Sequence, residues 1–172
     1  MARLAGCPTL NLDDFYYDAD HPGLPASHGR IDWDDPATWD AAAAAAAIET
    51  LLRTGAAEVP RYDISRSAAV GTHTITVGDL NCFIAEGIFA VEAAEQCASA
   101  GITVERLYLD RPRVLVTILR FVRDVREQRK SLPVLIRRGV ALFRSQPELR
   151  ARAVAAGFRP VGLKQAVDII TA

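Results

Sequence analysis

Lysine is nearly missing from this chain. Only Lys130 and Lys164 occur among 172 residues, against eighteen arginines. Neither lysine follows a glycine-rich turn, so no Gly-Lys-Ser/Thr phosphate loop is encoded anywhere in these residues. Cysteine is scarce: Cys7, Cys82 and Cys97 have no metal-like spacing, and their odd number argues against a disulfide framework. They read as buried thiols of a reducing compartment. The three histidines, His21, His28 and His73, are scattered without a ligand pattern. No apolar run approaches the roughly eighteen residues of a membrane span. The first residues lack the apolar core of a signal peptide. Net charge is -1, which argues against a general nucleic-acid binder. These absences together predict a cytoplasmic protein that engages neither nucleic acid nor membrane.

The small net charge conceals an uneven distribution. Residues 1–105 carry 5 basic and 16 acidic residues, a net -11, whereas 106–152 carry 13 basic and 4 acidic, a net +9. A basic segment beside an acidic body permits a phosphate site. Arginine supplies a rigid donor fork suited to phosphate oxygens, although an arginine-rich genome would give the same bias.

The length suits one core and one domain over 1–172, with a basic helical region at 106–147 inside it. Along the chain, Leu10–Leu12 reads as a short strand, and 18–40, with three prolines and two glycines, as a long loop. Asp40 caps an alanine-rich helix that Gly55 stops. Pro60–Asp63 is extended, and THTITV, residues 72–77, alternates like a strand. A buried strand begins at 82–84 and runs into AEGIFA. A helix over 91–100 stops at Gly101, and 102–109 reads as another strand. Helices follow at about 113–128, in VLIRRGVALFR and at 148–156, with a last strand near 158–161. The order of strands and helices predicts an α/β fold with a mostly parallel sheet flanked by helices.

Several residues carry candidate chemistry. LNLDDFYYD places Asp13 and Asp14 where a strand runs out, and ligands gather at the carboxyl ends of strands in open α/β sheets. A carboxylate there accepts a proton from a hydroxyl or holds magnesium, while its neighbour caps or orients. The plainer reading is a helix cap. Phe15, Tyr16 and Tyr17 read as core or rim before they read as stacking platforms. In DWDDPATWD, Asp34 or Asp35 suits vicinal sugar hydroxyls, or else caps a turn opened by Pro36. Tyr62, in a loop carrying VPRYDISRS, either stacks on a base or plugs the loop onto the sheet. Glu86 follows buried strand residues, where a carboxylate needs a partner, and Gly87 allows close approach. Arg120, Arg123 and Glu127 share a helix face, with Arg126, Arg129 and Lys130 crowding its end. Converging arginines suit a polyphosphate, and a solvated surface helix is the alternative.

LNLDDFYYD, DWDDPATWD, VPRYD, FIAEGIF and ILRFVRDVREQRK occur in this order over nearly the whole chain. As a set they resemble a bacterial-type uridine kinase, within the uridine/cytidine kinase and phosphoribulokinase-like group of P-loop kinases. The resemblance implies ATP-dependent phosphorylation of a nucleoside 5'-hydroxyl, uridine to UMP in pyrimidine salvage, with ATP and Mg2+. Asp13 matches the catalytic aspartate near the 5'-hydroxyl and the metal, and Glu86 a second carboxylate near magnesium. Asp34 matches the ribose-binding carboxylate and Tyr62 a pyrimidine-stacking residue, with Tyr16 and Arg66 also on the substrate side. Arg120 and Arg123 match lid arginines that engage substrate and ATP phosphates, with Arg126 and Lys130 on the cofactor side. Relatives are often oligomers, so self-association belongs among the expectations.

The sequence departs from the family in three places. Gln128 stands where one basic lid residue would align. Ile64, Ser65, Arg66 and Ser67 occupy the stretch where the family has a pyrimidine-binding histidine. Above all, the first strand and Walker A loop are absent, and MARLAG resembles the end of the helix that follows them. The expectation is a chain that starts late, with doubtful activity by itself. Alternatives are a kinase for another small alcohol, and a non-catalytic nucleotide-binding or partner domain.

Overall fold

A computed structural model of the chain describes residues 6–27, 29–78, 82–110 and 147–171. The chain divides into two compact units, one over 1–105 and one over 106–170. Among the described residues the architecture is α/β, built from short helices and four two-stranded ladders, two parallel and two antiparallel.

In the first unit, β1 (Thr9–Asn11) pairs in parallel with β6 (Ile84–Glu86). The register is Thr9↔Ile84, Leu10↔Ala85 and Asn11↔Glu86. Three pairs make a weak ladder, so β1 is held chiefly by burial. Leu10 and Leu12 are completely buried, and each such side chain contributes about 1.5–3 kcal/mol. The strand ends because the Asn11 side chain turns back to accept from the Asp13 amide at 3.3 Å. This local cap starts a 3-10 turn over Leu12–Phe15. Both aspartates therefore lie in a capped turn and not in extended chain.

The stretch expected as a long loop contains regular structure. β2 (Ala26–Ser27) and β3 (Arg30–Ile31) form a two-residue antiparallel ladder. A second 3-10 turn, Pro36–Thr38, is capped by Asp35, which accepts from the Ala37 amide at 2.9 Å. The helix α1 (Ala41–Thr54) starts at Asp40, whose carboxylate accepts from the Ala43 amide at 2.9 Å, and ends at left-handed Gly55. It buries Ala44, Ala47, Ile48 and Leu51, one face at helical spacing. That face packs on the strand Ala56–Asp63, on the helix Ala90–Ser99 and on the Leu12–Phe15 turn.

β4 (Ala56–Asp63) and β5 (Ala68–Thr76) form a long antiparallel hairpin with a register shift between Pro60 and Tyr62. Tyr62 is thus a strand residue opposite Ala69, not a loop residue. The turn is built by Asp63, which accepts from the Ser65 amide at 2.8 Å and the Ser65 hydroxyl at 2.6 Å. α2 (Ala90–Ser99) turns Ala93, Ala94 and Cys97 inward and closes at Gly101. The strand expected over 102–109 is shorter: Ile102 and Val104 pack on the core as irregular chain.

In the second unit, β7 (Leu107–Leu109) pairs in parallel with β8 (Arg159–Val161). Helix α3 covers described residues 147–155. The Arg106 guanidinium donates to the Ala156 carbonyl at 2.8 Å. Arg150 reaches Asp110 at 3.1 Å. A final helix, α4 (Leu163–Ile170), was not expected from sequence. The helices expected between 113 and 144 lie outside the described residues.

Candidate functional site

The site is assembled where β1 and β6 end. Parallel pairing sends both chains out of the ladder on the same side, so the turn holding Asp13 meets the turn that follows Glu86. The two turns nest closely. A Cβ placed on Gly87 would fall 2.7 Å from the Leu12 Cβ and 2.9 Å from the Asp13 Oδ1. The backbone of Gly87 does not have a positive φ, so glycine is required here for space and not for conformation. The Ile88 amide points at the same carboxylate oxygen, 3.5 Å away. Asp13 is half-buried.

Asp14 serves the scaffold. Its carboxylate accepts from the Tyr62 amide at 3.1 Å, 48 residues along the chain, and so ties the turn to β4. Asp18 does the same for β5, accepting from the Ala69 amide at 2.7 Å. Between these anchors, Tyr17 donates its amide to the Thr38 carbonyl and Asp40 donates to the Phe15 carbonyl, both at 2.9 Å. The buried Trp39 indole donates to the Leu12 carbonyl at 2.7 Å. The segment bearing the aspartates is therefore fixed on both sides.

Three half-exposed aromatic rings stand in this frame. Tyr16 lies 5.5 Å from Trp33, edge to face, and 5.6 Å from Tyr62, while Trp33 and Tyr62 are 6.5 Å apart. Tyr16 also meets the buried Phe89, which leads into α2. The Tyr16 hydroxyl donates to the Trp33 carbonyl at 3.0 Å, and the Tyr62 hydroxyl to the Tyr17 carbonyl at 3.2 Å. Burial, then the nearby Asp18 carboxylate, push the Tyr62 phenol up to about 12, against a hydrogen bond with Ser67 that lowers it. Tyr62 is a neutral donor at any ordinary pH.

The acidic cluster Asp32–Asp35 separates by role. Asp32 accepts from the Asp34 amide at 3.3 Å, and Asp35 caps the Pro36–Thr38 turn. The exposed Asp34 carboxylate makes no hydrogen bond among the described residues. Of the two candidates raised by sequence, Asp34 is the one left available, because Asp35 is committed to backbone.

Glu86 is exposed and lies in register beside Asn11, two residues before Asp13. Asp13 and Glu86 thus leave neighbouring strands at one end. Among the described residues no group of three or more histidine, cysteine, aspartate or glutamate side chains is arranged to hold a metal ion. Arg66 sits at the tip of the β4–β5 hairpin with Asp63 as its ionic partner at 3.6 Å. Arg120, Arg123, Arg126 and Lys130 lie outside the described residues.

Sequence reasoning placed Asp13, Tyr16, Tyr62, Asp34 and Glu86 as candidates, and the structure joins Tyr16 directly to Tyr62. It missed Trp33, whose signal was only an aromatic within an acidic loop, and the scaffold role of Asp18; the neighbour expected to cap or orient is Asp14. No protein-family model matches the chain, and no curated protein matches it.

Proposed function

We propose that this chain carries the acceptor side of a nucleoside kinase site, with uridine as the acceptor and ATP as the donor. The observation that supports it best is the seat of Asp13: a half-buried carboxylate at the carboxyl end of parallel β1, packed on a glycine that leaves it just enough room. Asp14 ties the turn to β4 through the Tyr62 amide, whereas Asp13 stands at the strand end beside Gly87, so Asp13 is the aspartate of the pair better suited to accept the proton of a 5'-hydroxyl.

The other groups suit the rest of a nucleoside. Tyr16, Trp33 and Tyr62 offer partly exposed π faces, and a base on an aromatic side chain gains about 1–3 kcal/mol. The Asp34 carboxylate suits two vicinal ribose hydroxyls, which donate to it together. Asp13 and Glu86 fit magnesium, which takes one or two protein carboxylates and completes its shell with phosphate oxygens and water. When bound, the ion neutralises charge on the phosphates. Arg120, Arg123, Arg126 and Lys130 are assigned to those phosphates on helical spacing and the resemblance to uridine kinases. The P-loop type of sheet is part of the same proposal.

The test is a titration of the 172-residue chain with uridine, read by tryptophan emission. Trp39 is buried and Trp33 half-exposed, so saturable quenching should come from Trp33 and vanish in Trp33→Phe with circular dichroism unchanged. Emission that stays flat to millimolar uridine would overturn the proposal.

A further inference from the structure

The register of the β1–β6 ladder has a consequence at its opposite end. Thr9 lies beside Ile84, and the Ile84 amide donates to the Pro8 carbonyl at 3.0 Å, so the pairing extends back past the named strands. Two residues before Thr9 is Cys7, and two before Ile84 is Cys82. They are lateral neighbours, and their Sγ atoms are 2.6 Å apart. Adjacent strands run about 4.8 Å apart. That spacing falls inside the range of about 4.4–6.8 Å that cystine Cα atoms occupy.

We propose that Cys7 and Cys82 are a redox pair that closes reversibly into a disulfide across the start of β1 and β6. Both are thiols in this structure. Cys82 is half-buried and Cys7 only 6% exposed, which assigns their order of reaction. The oxidant is a small-molecule disulfide such as oxidised glutathione. The Cys82 thiolate attacks one of its sulfurs, forming a mixed disulfide and releasing one glutathione thiolate. Cys7 gives its proton to solvent base and attacks the Cys82 sulfur, releasing the second. Two protein thiols become one cystine, and one glutathione disulfide becomes two thiols. In the dithiol the Cys7 thiol is raised to about 11, first by burial and then by the hydrogen bond and charge of Cys82; the burial remains once Cys82 is a mixed disulfide, so this second step should accelerate with pH.

The link would span 75 residues, from Cys7 to the strand that bears Glu86 and leads into Gly87. A tie of that length removes much freedom from the unfolded chain. It also fixes, from behind, the two strands whose other ends carry Asp13 and Gly87. The pair stands independently of the nucleoside reading.

The experiment uses the full 172-residue chain, incubated with excess oxidised glutathione, then alkylated and mapped by mass spectrometry. The expected product is a Cys7–Cys82 cross-linked peptide lighter by two hydrogens, with Cys97 still alkylated. The melting temperature should rise on the order of 10 °C, and dithiothreitol should reverse it. Cys82→Ser should abolish both changes, while Cys97→Ser should preserve the cross-link. Three alkylatable thiols after oxidation, a glutathione adduct that persists on Cys82, or a cross-link through Cys97 would overturn the pairing.

Discussion

Asp13 and Gly87 are fitted to each other: the carboxylate oxygen lies 2.9 Å from where a Cβ on residue 87 would stand. Nothing of that size fits, because the Leu12 Cβ is closer still, at 2.7 Å. The turn after β1 and the turn after β6 can nest only while residue 87 lacks a side chain.

Gly87→Ala should therefore cost about 1–3 kcal/mol, the usual range for overpacking. Urea denaturation measures it. The same substitution should displace the Asp13 carboxylate and so lower phosphate transfer, in the chain joined to a phosphate loop, more than it lowers uridine affinity. Unchanged stability would show that the two turns part easily.

Asp34→Ala should weaken uridine binding by tenfold or more, whereas Asp35→Ala should act through the turn it caps and cost about 1 kcal/mol of stability. Removing the 2'-hydroxyl should cost the parent more affinity than it costs the Asp34 variant. Equal losses in both proteins would remove the ribose contact.

Trp39→Phe should destabilise by about 1–3 kcal/mol, because it leaves the buried Leu12 carbonyl without its indole donor at 2.7 Å. Thermal or urea unfolding checks this. A neutral result would mean that water reaches the carbonyl.

Tyr62 gives a pH signature. Its folded pKa is about 12, raised from 10.0 by burial and by Asp18. A raised value means that the folded state holds the proton more tightly. The associated stability is complete below about pH 10 and is lost as pH rises toward 12. Ultraviolet titration should show an ionisation at that upper end that is absent in Tyr62→Phe. Ionisation of all tyrosines near 10 would contradict the burial of this ring.

Much of the local structure was legible because short-range chemistry decides it. Asp40 and Gly55 bracket α1 as their types require, and Gly101 and Gly157 stand just beyond α2 and α3. The ends of β1 and β6 were also legible, and with them Asp13 and Glu86. What failed depends on distant partners. Pro60 broke the alternation that would have revealed β4, so Tyr62 read as loop although seven residue pairs, Tyr62↔Ala69 among them, join β4 to β5. The 3-10 turn at Asp13 and Asp14 follows from one Asn11 side-chain bond. Trp33 gained meaning only when three separate segments brought it against Tyr16 and Tyr62. The aspartates looked alike in sequence, and only the fold separated them: Asp14 and Asp35 accept from the Tyr62 and Ala37 amides, while Asp13 lies against Gly87 and the Ile88 amide.

The most direct test of the proposed site is Asp13→Asn, made in this chain joined to a Gly-rich phosphate loop ending in Gly-Lys-Ser/Thr. Transfer of labelled phosphate from ATP to uridine should be readily measured in the joined parent and fall by a hundredfold or more in Asp13→Asn, with uridine affinity nearly unchanged. The 172 residues by themselves should show little transfer, since they encode no such loop. Turnover of the Asp13→Asn protein within threefold of its parent would contradict the role given to Asp13.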